Sequence, residues 1–289
     1  MKYSELIEFA KRYLMEKNIA DYSSDAYLLL EFVFGISKTD YFMKMNEIIT
    51  DEEKLQQYKD YLEMRASGRP LQYITGTQDF MGLTFKVNEN VLIPRYDTEI
   101  LVEKVLEKLK VYGKNAADVS LCDMCTGSGC IGISLAKLGN LSDVTLVDIS
   151  KDALEVAKEN AKVNDVSHIR FVNSDLFEAF DKGDENVKFD FIISNPPYIR
   201  SDEIEGLMRE VRLHEPRLAL DGDTDGLKFY NIITKEAASR LHNGGWLMYE
   251  IGYDQGQEVS ELMKAAGFAD VEVIKDLAGL DRVVRGRKI

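Results

Sequence analysis

The residues with the clearest chemical purpose are Asn195-Pro-Pro-Tyr198, which directly follow the apolar run Phe189 to Ser194. Successive prolines supply no amide donor and fix the φ angles of the chain. They can therefore hold the Asn195 amide oxygen and the Pro196 carbonyl rigidly as two acceptors, beside the flat face of Tyr198. Two acceptors next to a ring suit a planar NH2 group. The nitrogen of an amide or aryl amine is a poor nucleophile because its lone pair is delocalised. Accepting both of its hydrogens orients it and favours the pyramidal geometry of in-line attack, so positioning and fixed dipoles would supply most of the rate. The plainer alternative is a proline-rich turn that only ends a strand.

A second set of residues suits a nucleotide-type cofactor. Asp123-Met-Cys-Thr-Gly-Ser-Gly-Cys-Ile-Gly132 follows an apolar strand and runs into a helical pattern. Its glycines permit a tight turn and let a ligand approach backbone amides at the helix N-terminus. Asp148 comes nineteen residues after Gly129, at the end of the next apolar run. A carboxylate there can accept both hydroxyls of a ribose, although the same residue could simply cap the following helix. Asp175, in Asn173-Ser-Asp-Leu-Phe177, lies where a polar loop would flank an adenine, or is a turn residue. Cys122, Cys125 and Cys130 fall within nine positions, but His168, His214 and His242 show no ligand spacing to them. Small packing residues account for them better than a zinc site, and no metal is expected.

These groups need elements to position them. Leu6, Phe9, Ala10, Tyr13 and Leu14, and then Tyr27, Leu28, Leu30, Glu31 and Phe34, recur at helical spacing, with Gly35 as a stop. Thr50 and Glu53 form a capping box before a helix carrying Leu55, Tyr58 and Leu62. Residues 1–75 are therefore expected to be a small helical domain. Phe80 to Val91 alternates around Asn88-Glu-Asn90, which predicts a linking hairpin over 76–96. From 97 to 289, seven short apolar runs begin at Val119, Val144, Ile169, Phe189, Trp246, Val271 and Arg282. Helical stretches at Ile131–Leu138, Lys151–Val163, Gly226–Leu241 and Gln255–Ala266 separate several of them. That alternation predicts βαβ units and a mostly parallel α/β sheet.

Composition narrows the partners. The chain has 289 residues, 45% of them apolar, with only five prolines, so it can bury a large core and is not a disordered or low-complexity protein. A net charge of −14 repels phosphate backbones unless a basic patch overrides it. Neither an apolar run long enough to span a bilayer nor an apolar signal core follows Met1. A cytoplasmic protein without a membrane partner and without direct nucleic-acid binding is expected.

Taken together, these motifs resemble a family. The glycine loop, Asp148 and Asn-Pro-Pro-Tyr, in this order and spacing, look like a class I S-adenosylmethionine-dependent methyltransferase acting on a planar nitrogen. Pro70-Leu-Gln-Tyr-Ile-Thr-Gly76, Phe80-Met-Gly82, Ile93-Pro-Arg-Tyr-Asp-Thr-Glu99 and Glu210-Val-Arg-Leu-His-Glu-Pro216 with Ala219-Leu-Asp-Gly222 narrow it further. They resemble the HemK/PrmC family, the protein-(glutamine-N(5)) methyltransferases of peptide chain release factors. The resemblance implies a Rossmann-like seven-stranded sheet and a helical domain that docks the release factor; a monomer is expected. It implies that Cys125, Thr126, Gly127, Ser128 and Gly129 hold the methionine end of S-adenosylmethionine, that Asp148 holds its ribose, and that Asp175 and Leu176 border its adenine. Asn195, which would also border the cofactor, and the Pro196 carbonyl would then grip the glutamine amide of a Gly-Gly-Gln motif. Pro197 would stiffen the loop and Tyr198 would pack on the amide, with S-adenosylhomocysteine as the product. Cys125 stands where the family often has glycine. Three other readings remain open at this point. One is an N(6)-adenine methyltransferase of DNA or RNA, which uses a related tetrad. The others are a nicotinamide-dependent oxidoreductase read from Gly127, Gly129 and Gly132, and a non-catalytic adaptor.

Overall fold

A computed structural model describes residues 1–181 and 187–289. The chain divides into two compact units, Met1–Gly76 with Met208–His214, and Thr77–Leu207 with Glu215–Ile289.

The first unit is helical: α1 (Tyr3–Glu16), α2 (Tyr22–Phe34), α3 (Lys38–Lys44), α4 (Glu52–Ala66) and α5 (Leu71–Thr75). α1, α2 and α4 are where the periodicity predicts helices, whereas α3 and α5 have no counterpart in it, and the inner faces of α1 and α2 are turned. On α1 the buried residues are Leu6, Ile7, Ala10 and Leu14, while Phe9 is 38% exposed. On α2 they include Ala26, Leu29, Leu30 and Val33, and Leu28 faces out. Each helix carries two overlapping apolar stripes, and the neighbours decide which one is covered. α2 ends at Gly35 in the left-handed conformation, as expected. The expected Thr50 cap is corrected to Asp51, whose Oδ1 accepts the Lys54 amide at 3.0 Å. A carboxylate there also meets the positive end of the helix dipole, which favours it over a hydroxyl one residue earlier. Buried Arg65 binds the Asp25 carboxylate at 2.7 Å and Glu210 at 2.8 Å, which ties the segment Met208–His214 to α4.

The second unit opens with the hairpin β1 (Thr77–Phe80) and β2 (Leu83–Lys86). The turn is Met81-Gly82, both at positive φ, and not Asn88-Glu-Asn90. A two-residue turn with positive φ at both positions matches the twist of the flanking strands, whereas the later asparagines make a second turn that leads away from them. The unit continues through α6 (Tyr96–Val111), β3 (Ser120–Met124), α7 (Cys130–Gly139), β4 (Asp143–Asp148), α8 (Lys151–Val163), β5 (Ile169–Asn173), α9 (Glu178–Asp181) and β6 (Phe189–Ser194). After α10 (Arg209–His214) in the first unit come α11 (Lys228–Arg240), β7 (Leu241–Glu250), α12 (Gly256–Ala265), β8 (Phe268–Lys275) and β9 (Asp281–Lys288). The seven expected strands form one sheet in the order β5-β4-β3-β6-β7-β9-β8. β3 to β7 pair in parallel, and β9 runs antiparallel to both β7 and β8.

Alternation along the strands builds a core on each face. Leu121, Phe191, Ile193, Trp246 and Met248 join Phe80, Phe85 and the residues of α6 and α7 on one side. Cys122, Ile192, Leu247 and Tyr249 join Tyr230, Ile233 and Val259 of the helices on the other. Every residue of β6 is buried, as expected of a central parallel strand covered on both faces. Phe80 and Phe85 meet edge to face at 6.0 Å, and each contributes roughly 1.5–3 kcal/mol by burial. Phe80 is thus a packing residue of this core.

Candidate active site

Order in the sheet reverses at β3, which has β4 on one side and β6 on the other. In an open α/β sheet the crevice beyond the strand ends at such a point is the natural ligand site. The loops that leave β3, β4, β5 and β6 line a cavity of about 420 Å³, within the range of small-ligand and cofactor sites. It brings together Cys125, Thr126, Gly127, Ser128, Asp148, Asp175, Leu176, Asn195 and Pro197. Gly129, Pro196 and Tyr198 lie outside its wall.

The glycine loop is held from below by Asp123, which is fully buried. Its Oδ2 accepts the Thr126 hydroxyl at 2.6 Å and the Gly132 amide at 2.9 Å, while Oδ1 has no partner among the described residues. Burial pushes this carboxyl up to about 7, against the pull of those two donors. Gly129 opens α7 at a φ of 81°, and a Cβ there would come within 2.7 Å of Ile133 Cδ1 and 3.1 Å of Ala157. The backbone conformation favours glycine, and the space left there is tight. Cys125 also has a positive φ, 61°, a conformation that costs a non-glycine residue about 1 kcal/mol or more. This is a physical reason for glycine to be common at that place.

Asp148 uses its two oxygens on the loop backbone. Oδ2 accepts the Gly127 amide at 2.8 Å and Oδ1 accepts the Ser150 amide at 2.9 Å. Burial raises its pKa, and the Ser150 and Gly127 amides oppose that rise. The cap of α8 is Ser150, which accepts the Ala153 amide, so Asp148 is left on the cavity wall. Asn160 escaped the sequence reading. Its Nδ2 donates to Ser128 O at 2.9 Å and Lys86 O at 3.0 Å, and its Oδ1 accepts the Lys86 amide at 2.6 Å. One side chain thus joins the hairpin to the glycine loop. The available signal was a polar residue on the apolar stripe of α8.

Asn195 follows Ser194, whose hydroxyl donates to Met124 O at 2.7 Å across the β3–β6 pair. The Asn195 Nδ2 lies 3.5 Å from Thr98 Oγ1 of α6. Tyr198 is half-buried against the core around Tyr230 and Tyr249, and its backbone is clamped from behind. Gln255 Nε2 donates to Tyr198 O at 3.1 Å, and Ile199 bridges to Asp221. A Cβ on Gly222 would lie 2.8 Å from Tyr198 Cα, so glycine permits this close approach. Arg95 Nη2 meets the buried Glu215 at 2.5 Å, and Arg95 and Pro216 both line the cavity. Lys228, Phe229 and Ile232 of α11 complete the wall, and nothing local in the sequence pointed to them. Cys122 and Cys130 pack into the two cores. Among the described residues no helix is long and apolar enough to cross a membrane.

Residues 5–76 match the family described as PrmC N-terminal domain, and residues 96–223 match the methyltransferase small domain. A release factor glutamine methyltransferase of Clostridium acetobutylicum is 43% identical over 287 residues, covering 98% of each chain. One from Clostridium botulinum is 43% identical over 282 residues, covering 95% of each chain. Among solved structures, the hMettl16 catalytic domain has a TM-score of 0.54 at 16% identity, over 80% of this chain and 82% of that one, which is a likeness of fold. Identity of this order along nearly the whole length, in a chain whose sheet carries the glycine loop and Asn-Pro-Pro-Tyr at adjoining strand ends, shows that it belongs to the release factor glutamine methyltransferase family.

Proposed function

We propose that the chain transfers a methyl group from S-adenosylmethionine to the side-chain amide nitrogen of the glutamine in the Gly-Gly-Gln motif of peptide chain release factors, with Asn195 and the Pro196 carbonyl as the groups that grip that amide. The observation that carries this reading is the position of Asn195. It lines a cavity of cofactor size at the switch point of the sheet, on the rim reached from β6. The donor set fits a nucleoside cofactor. Asp148 would take ribose hydroxyls, Asp175 and Leu176 would border the adenine, and the turn from Cys125 to Gly129 would receive the methionine end. When bound there, S-adenosylmethionine would supply an electrophilic methyl carbon, with S-adenosylhomocysteine as the product.

The residues of the chain act by placement. The Asn195 oxygen and the Pro196 carbonyl accept the two amide hydrogens and aim the nitrogen, while Tyr198 limits tilt of the amide plane. So aimed, the nitrogen would attack the methyl carbon in line, the C–N bond forming as the C–S bond breaks. The amide proton becomes acidic as its nitrogen is alkylated and leaves late, to water or through Asn195, so no strong side-chain base is needed. The helical unit docks the release factor, and the enzyme works in the cytoplasm as a monomer without a nucleic-acid partner. The test is transfer of label from S-adenosylmethionine to a purified bacterial release factor, beside a copy whose Gly-Gly-Gln glutamine is alanine. Label on the first and none on the second is expected. Label on neither, with transfer to nucleic acid instead, would overturn the reading.

A further inference from the structure

An asparagine that serves as an acceptor must present its oxygen and turn its NH2 away. The shape of the side chain does not determine which end points where, because a carboxamide flipped by 180° occupies nearly the same space. Something behind Asn195 has to choose. Ser194 and Tyr249 are the last residues paired between β6 and β7, so Asn195 and Glu250 leave the sheet side by side. Glu250 is only 2% exposed, and Thr98 and Asn195 are among the side chains that favour its ionised form. Thr98, itself 3% exposed, is also the group within 3.5 Å of the Asn195 Nδ2.

We propose that Glu250 is the positioning residue that sets the orientation of the Asn195 carboxamide, drawing its NH2 inward with Thr98 so that Oδ1 faces the cavity. A carboxylate can only accept, so it tolerates the nitrogen of Asn195 and rejects the oxygen. Thr98 can donate its hydroxyl to Glu250 and accept from Asn195, which makes the three side chains one directed network. Glu250 does not line the cavity, and it acts through Asn195. Its Oε2 is buried and meets no donor among the described residues. An ionisable group buried with an unused oxygen weakens the fold, and such exceptions call for a functional account.

The charge of the network is adjustable. Burial raises Glu250 to about 7, while Thr98, Arg282 and Asn195 favour its ionised form and Asp97 opposes it. The titratable groups around it are Asp97 of α6, Arg282 of β9, Tyr198 after β6, Cys130 of α7 and Tyr230 of α11. Tyr230 donates its hydroxyl to the main-chain oxygen of Glu250 at 2.9 Å. When Glu250 takes up a proton it becomes a donor as well, and the preference for one orientation of Asn195 is lost. Activity should therefore fall as pH drops through about 7.

This inference rests on the methyl-transfer reading, and the test separates the two. Glu250→Gln keeps the volume but can donate or accept, so it leaves Asn195 free to flip. With the full-length protein and a release factor, kcat should fall roughly 10–100-fold, the size of loss seen when a partner that orients a metal-ligating side chain is replaced. The KM for the release factor and cofactor affinity should be unchanged, and the acid limb near pH 7 should disappear. In parallel, the 15N signal of the Asn195 side-chain NH2 should titrate with a midpoint near 7 in the unmodified protein and stay flat in the variant. Unchanged kcat, a loss of kcat with the acid limb intact, or an Asn195 signal that ignores pH would each overturn the proposal. If the unmodified protein methylates no release factor, the functional reading fails, and the Asn195 titration still decides the role of Glu250.

Discussion

Asn195 is worth more to the reaction than to the fold. It is half-buried at a strand end, its side chain makes a long hydrogen bond to Thr98, and its oxygen is the group the proposed chemistry uses. Asn195→Ala should therefore keep cofactor affinity and lose kcat by roughly 10²–10³-fold, the effect of removing one preorganised dipole from a reacting centre. Single-turnover methyl transfer alongside a calorimetric titration with S-adenosylmethionine checks both halves. Cofactor affinity lost together with turnover would mean that the residue belongs to the cofactor pocket instead. At this scale the sequence was most legible. Asn-Pro-Pro-Tyr and the Asp123–Gly132 loop are contiguous, so their chemistry can be read without knowing what surrounds them. Asn160, Thr98 and Glu250 act on those motifs across 32, 97 and 55 positions of chain, and no local pattern marks them.

Strands and helices carry these groups to one edge of the sheet, and the loops between them hold close tolerances. Gly222 is the clearest case, since an added Cβ would meet Tyr198 Cα at 2.8 Å and Pro197 O at 2.9 Å, both backbone atoms that cannot swing aside. Gly222→Ala should cost about 1–3 kcal/mol, as overpacking does. Because the displaced backbone is that of the acceptor tetrad, kcat should fall as well. Thermal unfolding and steady-state kinetics on one preparation would show both, and an unaffected kcat would mean that the loop yields away from the site. The periodicities located every major strand of the sheet and the helices α7, α8, α11 and α12. They misjudged which faces of α1 and α2 are buried, because Phe9 and Leu28 are as apolar as the residues that win. They also put the hairpin turn too late, where Asn88 and Asn90 outbid Met81-Gly82 as turn formers by composition although the strands pair across the earlier dipeptide.

Across the second unit, buried acids near the cavity link stability to pH. Asp123 and Glu250 are both raised to about 7 by burial. In the unfolded chain each titrates in the ordinary carboxylate range, so between that range and about 7 the folded state holds protons that the unfolded state releases. Stability is then greatest at the acid end of this window and falls as pH rises through 7. The unfolding midpoint of the unliganded protein should drop between pH 6 and pH 8, and the pair Asp123→Asn and Glu250→Gln should flatten that slope. A midpoint that rises with pH would show that other groups dominate. The sequence by itself determined the fold class, the seven strands, the glycine turn, the acceptor tetrad and the resemblance to a family. All of these are written in neighbouring residues and in periods of two and 3.6. Only the tertiary structure decided the strand order, the assignment of Met208–His214 to the helical unit through Arg65, and the surroundings of Asn195. Those features depend on which surfaces bury one another and which buried polar groups find partners. Both are properties of contacts between distant positions, and a linear pattern contains no record of them.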